Sequence, residues 1–135
     1  MVVVGPVAEE IMKVALAAII VERRPYWFHS PAAIRLAVLA SAMGFAVIEN
    51  LLYLNVYIPN PTPTLVAWRW VVCTALHLGC TSVASEGVVR AWSASRQQFR
   101  RPDMAVLAPR IGLAAAIHGG YNLVVITLEM SGYHF

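Results

Sequence analysis

The chain has 135 residues, of which 59% are hydrophobic and 13% are charged, and its formal net charge is +3. Because soluble domains usually carry about 25% charged residues, this composition excludes an ordinary water-soluble domain and predicts a membrane protein. The basic residues form no stripe interleaved with aromatics, which argues against nucleic-acid binding. At about 20 residues per span, the length fits four crossings in a single domain over residues 1–135.

Four long apolar runs predict four transmembrane helices, at residues 2–21, 32–58, 65–91 and 104–130. The second run follows Ser30-Pro31, a typical helix cap and first-turn proline, and ends at the proline-rich segment Pro59–Pro63. The polar stretch at 93–103 predicts a loop. No run alternates with a period of two, which argues against a β-barrel. The predicted fold class is therefore an all-α, polytopic membrane protein with about four helices in one bundle.

The first run resembles a signal peptide in length but not in pattern. It lacks a basic N-terminal region, and charged residues interrupt its centre, so we predict a membrane helix that is retained. The chain enters this helix almost at once, which is consistent with the core of a longer protein.

The basic residues between the helices predict an orientation. Arginines flank the loops at 22–31 and 93–103, whereas the loop at 59–64 has none. By the positive-inside rule, the first and third loops face the cytoplasm, and the second loop and both termini lie outside.

Charged groups at bilayer depth cost about 2.5–3.5 kcal/mol each on insertion scales and usually mark a function. The first helix carries Glu9, Glu10 and Lys13, of which Glu9 and Lys13 are four residues apart on one face. The second helix carries Glu49 and Asn50, with Phe45 four residues before Glu49.

The third and fourth predicted helices carry imidazoles. His77 lies midway along the third, and the fourth has His118 and Asn122 four residues apart. With alternating helix directions, the acids lie roughly 10–14 Å and the histidines roughly 18–20 Å below the outer surface. This shared level predicts one buried polar site rather than four independent packing features.

The ordered set Glu9-Glu10-x-x-Lys13, Gly44-Phe45-x-x-x-Glu49-Asn50, His77 and His118-x-x-x-Asn122 resembles the PrsW family of intramembrane proteases. The related CAAX-type endopeptidases have a histidine at the position of Glu49, so their water-activating pair is not preserved here. The resemblance implies a membrane-anchored protein substrate within the lipid bilayer. It also implies a peptidase that works by a glutamate-activated water.

In that mechanism Glu9 or Glu10 is the base and Glu49 orients the water, while His77 helps to position or protonate. His118 and Asn122 would then stabilise the oxyanion. Lys13, Phe45 and Asn50 would support the site. This scheme requires no cofactor.

Two alternatives stay open at this stage. In the first, a divalent metal such as zinc is bound by His77, His118 and one or two glutamates, among them Glu49 and Glu10, although no His-Glu-x-x-His motif is present. In the second, the buried acids serve a non-catalytic protein or a proton or ion relay.

Overall fold

The computed structural model describes residues 3–132, and within that part every regular element is helical. The α-helices are α1 (Val4–Arg23), α2 (Pro31–Leu52), α3 (Pro63–Trp68), α4 (Thr74–Gln98) and α5 (Ala108–Met130). One turn of π-helix (Tyr53–Tyr57) extends α2, and another (Arg69–Cys73) joins α3 to α4. Short 3₁₀ turns at Pro25–Trp27 and Met104–Leu107 lead into α2 and α5.

The helix starts follow local capping chemistry. The Ser30 hydroxyl accepts a hydrogen bond from the Ala33 amide at 3.2 Å, directly before the proline that opens α2. The Thr62 hydroxyl does the same for the Leu65 amide at 3.1 Å ahead of α3. The proline-rich segment after residue 58 separates two long helical stretches, as the sequence predicts.

The number of spans differs from the prediction. Three helical stretches are long and apolar enough to cross a membrane, namely Pro31–Tyr57, Pro63–Gln98 and Met104–Met130. The first helix has 20 residues but carries Glu9, Glu10 and Lys13, so a fourth span is not confirmed.

The predicted loop at 93–103 is too long. The α4 helix continues through Gln98 and ends where Phe99 takes a left-handed conformation with φ of 51°. Arginine and glutamine are good helix formers, so a polar composition alone does not end a helix there.

The bundle has an apolar interior in the half that contains the first and third loops. Small and β-branched side chains from four helices meet there, among them Val21, Ile34, Val38, Ala84, Val88 and Ala114, all fully buried. The Trp92 indole closes this half by donating to the Pro25 carbonyl at 2.7 Å.

Large apolar side chains cover the outer surface, including Ile11, Leu16, Leu36, Ile48, Val71 and Leu123. Contiguous exposed apolar surface of this kind is typical of a protein with lipid around it.

Candidate functional site

The polar side chains of four helices meet at one place, next to a cavity of about 490 Å³. Glu9, Glu10 and Lys13 come from α1, Glu49 comes from α2, His77 comes from α4 and His118 comes from α5. We call these six residues the polar cluster. The structure brings all six together, while their catalytic roles stay a prediction.

Lys13 and Glu10 form the buried centre of the cluster. The Lys13 ammonium donates to Glu10 Oε1 at 2.7 Å, and both side chains are fully buried. The hydroxyl of Thr81, one turn beyond His77 on α4, donates to Glu10 Oε2 at 2.9 Å. Glu10 is thus fixed by its neighbours and does not line the cavity.

The hydrogen bonds define the tautomer of His77. Its Nδ1 lies 2.8 Å from Lys13 Nζ, and an ammonium has only donors, so Nδ1 must accept. The ring proton is therefore on Nε2, which donates to Glu49 Oε2 at 2.6 Å. Phe45 packs beside this ring, with centroids 5.7 Å apart, and lies 4.8 Å from the Lys13 ammonium.

The same reasoning defines the tautomer of His118. Its Nδ1 lies 3.1 Å from Glu10 Oε1, and a carboxylate paired with Lys13 accepts hydrogen bonds, so Nδ1 donates. In a neutral ring, Nε2 then carries the lone pair, and it lies 3.7 Å from Glu9 Oε2.

Glu9 differs from the other two acids of the cluster. Its Oε2 is buried and has no hydrogen-bond partner within the described part of the chain. It lies 3.7 Å from Lys13 Nζ and 4.0 Å from His77 Nδ1, both beyond hydrogen-bonding distance. Glu9 also lines the cavity, and its side chain is 20% exposed.

Three ligand atoms are close enough together to hold a metal ion. Glu9, His77 and His118 each offer one, and these atoms lie within 4.8 Å of one another. The ligand set predicted from the sequence also contained His77 and His118, but it had Glu49 and Glu10 in place of Glu9. In the structure, Glu49 accepts a hydrogen bond from His77 Nε2, and Glu10 accepts hydrogen bonds from Lys13 and Thr81.

Two predicted site residues lie apart from the cluster contacts. Asn122 lines the cavity, but we find no hydrogen bond from it to the cluster among the described residues. Asn50 is buried on another face of α2, where its amide donates to the Arg69 carbonyl at 3.1 Å and to the Thr74 hydroxyl at 3.2 Å. Asn50 therefore ties α2 to the π turn before α4.

The sequence analysis did not predict three residues of this site. Thr81 supports Glu10, as described above. Tyr121 lines the cavity and accepts a hydrogen bond from the Trp68 indole at 2.9 Å. Arg69 also lines it, with Nη2 3.6 Å from Glu49 Oε2. An arginine a few residues into an apolar run was the one available signal.

Comparison with known proteins gives one match. The profile of a family described as "PrsW family intramembrane metalloprotease" matches residues 1–134. No curated protein and no solved structure matches the chain.

Proposed function

This chain belongs to the PrsW family of intramembrane proteases, and from that premise we propose that it cleaves a membrane-anchored protein with a water molecule activated by Glu9. Family membership makes the chain an integral membrane peptidase whose substrate lies in the bilayer. The choice of Glu9, and the roles of its neighbours, are our proposal.

One observation carries this assignment. Glu9 lines the cavity with a side chain that is 20% exposed, and its Oε2, which has no hydrogen-bond partner among residues 3–132, lies 3.7 Å from His118 Nε2. A water molecule in the cavity that hydrogen-bonds to the Glu9 carboxylate would be the nucleophile. Glu10 is less suitable as the base because its two oxygens already accept from Lys13, His118 and Thr81.

The proton transfers of the reaction then need only groups of the polar cluster. Glu9 removes a proton from the water as the oxygen attacks the scissile carbonyl carbon, and a tetrahedral oxyanion forms. When the C–N bond breaks, the proton held by Glu9 passes to the leaving amine. Glu10 holds His118 in the tautomer that accepts from the water, and Lys13 and Glu49 hold His77.

The alternative of a proton or ion relay fits the geometry less well. A relay needs polar groups along a path through the bilayer. Beyond Thr81 the interior is closed by apolar side chains, including Ala84 and Val88 of α4. A cavity that ends at a cluster of acids and imidazoles suits hydrolysis better than transport.

A metal-dependent form of the same reaction is the second candidate, because the family description names a metalloprotease. The donor set fits such an ion in part. Glu9 Oε2 and His118 Nε2 have free lone pairs, whereas the lone pair of His77 Nδ1 is taken by Lys13. Glu9, His77 and His118 would hold the ion, which would act as a Lewis acid towards water and the scissile carbonyl. At His77 it would compete with Lys13.

We further propose that α1 crosses the bilayer with the other helices. Its charged side chains Glu10 and Lys13 are buried against protein, while Ile11, Met12 and Leu16 are exposed on its outer face. A helix of 20 residues is about 30 Å long, enough for one crossing. With loops 22–31 and 93–103 in the cytoplasm, the cavity opens to the outer side.

The test is cleavage of a single-span peptide in liposomes. We expect Glu9→Gln to lower the rate by about 10²–10⁴-fold, the usual worth of a general base. Glu129→Gln is the matched control, since Glu129 also lines the cavity but lies at the C-terminal end of α5, away from the cluster contacts. Equal cleavage by wild type and Glu9→Gln would contradict the assignment.

A chelator separates the two mechanisms in the same assay. Loss of cleavage that added zinc restores, together with zinc bound by wild type but not by His118→Ala, would establish the metal-dependent form. Undiminished cleavage in excess chelator would establish the metal-free form.

A further inference from the structure

Arg69 stands on the wall of the cavity with hydrogen-bond donors that no protein group uses. Its Nε and Nη2 are buried, and neither has a hydrogen-bond partner within residues 3–132. The side chain as a whole is 11% exposed. Leaving a buried donor unpaired costs about 1–3 kcal/mol, and more for a charged group. Two unpaired buried donors on one side chain are not expected for an arginine with a purely structural role.

Two neighbours fix the guanidinium without accepting a hydrogen bond from these donors. Its central carbon lies 3.9 Å from the centroid of the Tyr53 ring, a cation–π contact. Arg69 Nη2 approaches Glu49 Oε2 to 3.6 Å, which is an ion pair but too long for a hydrogen bond. The same Glu49 oxygen already accepts from His77 at 2.6 Å. Arg69 is therefore held in place at the cavity wall, while its Nε and Nη2 have no hydrogen-bond acceptor among residues 3–132.

The π turn explains how Arg69 comes to the same face as His77. In an unbroken α-helix, residues eight apart are about 80° apart around the axis. A π turn takes up one extra residue, which reduces that angle to about 20°. The turn at Arg69–Cys73 thus aligns Arg69 with His77. Turns of this kind occur often at functional sites.

The charges around the cavity indicate which substrate oxygen accepts hydrogen bonds from Arg69. Among the described residues that line it, Arg69 is the only arginine or lysine, whereas Glu9, Glu49 and Glu129 are acids. A substrate that brings its own carboxylate would add to an excess of negative charge. An oxyanion formed during the reaction adds none, because Glu9 is neutralised by the water proton in the same step.

We propose that Arg69 is a catalytic residue that donates hydrogen bonds to the scissile carbonyl oxygen as this oxygen becomes the oxyanion. The inference rests on the proposed hydrolysis and adds a stabilising group to it. The C=O π electrons move to the oxygen while the water oxygen bonds to carbon. The Arg69 N–H groups then donate hydrogen bonds to the negatively charged oxygen. Preorganised donors of this kind act mainly on the transition state.

The simpler account is that Arg69 only balances the charge of Glu49. That account predicts a loss of stability when Arg69 is replaced and no selective effect on the chemical step. The two accounts therefore differ in kcat, in KM and in the binding of a transition-state analogue.

The experiment compares Arg69→Gln and Arg69→Lys with wild type, using Arg35→Gln as control. Arg35 is an arginine of α2 whose pair with Glu86 lies far from the cavity and is about 40% exposed. We expect Arg69→Gln to lower kcat by about 10²–10³-fold with KM changed less than about threefold, the pattern of a lost oxyanion donor. Arg69→Lys should recover part of the loss, and Arg35→Gln should match wild type.

A binding measurement keeps this proposal separate from the proposed function. A peptide phosphinate, which carries a tetrahedral anion, should bind Arg69→Gln at least about tenfold more weakly than wild type, while the matching peptide amide binds both equally. Equal phosphinate affinity in folded wild type and Arg69→Gln would overturn the role of Arg69. So would a kcat of Arg69→Gln within about threefold of wild type. Absence of cleavage by wild type would instead count against the proposed function.

Discussion

The two ends of the bundle interior are built on different principles. At one end, which we call the apolar half, the buried side chains are aliphatic or small, such as Val21, Ile34, Val38, Ala84 and Val88. At the other end the polar cluster fills the interior with three acids, a lysine and two imidazoles. Packing alone accounts for the apolar half. The polar cluster is a costly arrangement in a membrane, and its cost is understandable if the groups perform chemistry.

The polar residues at the cavity end also differ among themselves in how fully their hydrogen bonds are satisfied. Glu10, Lys13 and Thr81 satisfy one another through short hydrogen bonds and are fully buried. Glu9 and Arg69 lie on the cavity wall, and each has side-chain atoms without a hydrogen-bond partner among residues 3–132. Glu10, Lys13 and Thr81 thus support the fold, whereas Glu9 and Arg69 are the residues to which we propose roles in the reaction.

The largest effect on stability is expected at the buried centre of the cluster. Lys13→Met removes the cation that neutralises Glu10, and leaving one partner of a buried pair uncompensated costs about 3–5 kcal/mol. The double variant Lys13→Met/Glu10→Gln should recover part of this loss, because the fully buried side chain at position 10 then carries no charge. Unfolding by SDS in mixed micelles measures both. A single variant as stable as wild type would show that Lys13 and Glu10 are not coupled.

A second comparison tests the packing of the apolar half. A Cβ added at Gly87 would lie 2.9 Å from the Leu107 Cα, so Gly87→Ala must push the turn before α5 away from α4. We expect a loss of about 1–3 kcal/mol, the usual cost of overpacking. Gly79→Ala, on the same helix with nothing within 4 Å, is the control and should be neutral or slightly stabilising. Equal unfolding of the two variants would contradict this packing.

The smallest effect is expected for the exposed ion pair between Arg35 and Glu86. Its N–O distance is 2.7 Å, but the two side chains are 43% and 38% exposed. Replacing Arg35 with alanine should therefore leave the SDS fraction at which the protein unfolds close to that of wild type. A loss as large as that of Lys13→Met would mean that a partly exposed pair matters as much as the buried one.

The sequence predicts the helical class and most helix positions because long apolar runs and prolines act locally. It also predicts which polar residues share a level, since helix rise and direction set their depth. It does not predict the π turn at Arg69–Cys73, which depends on packing between α2 and α4 and brings Arg69 into line with His77. Sequence spacing likewise could not distinguish the surroundings of Glu9 and Glu10, because Glu10 alone accepts hydrogen bonds from Thr81 and His118.

The most direct test of this account measures cleavage per folded molecule for one substitution in each half of the bundle. Glu9→Gln should unfold at the same SDS fraction as wild type yet lose about 10²-fold or more of the cleavage rate. Gly87→Ala should unfold more easily yet cleave at the wild-type rate while folded. Wild-type cleavage by folded Glu9→Gln, or a selective loss of cleavage in folded Gly87→Ala, would contradict the assignment of chemistry to the cavity end of the bundle.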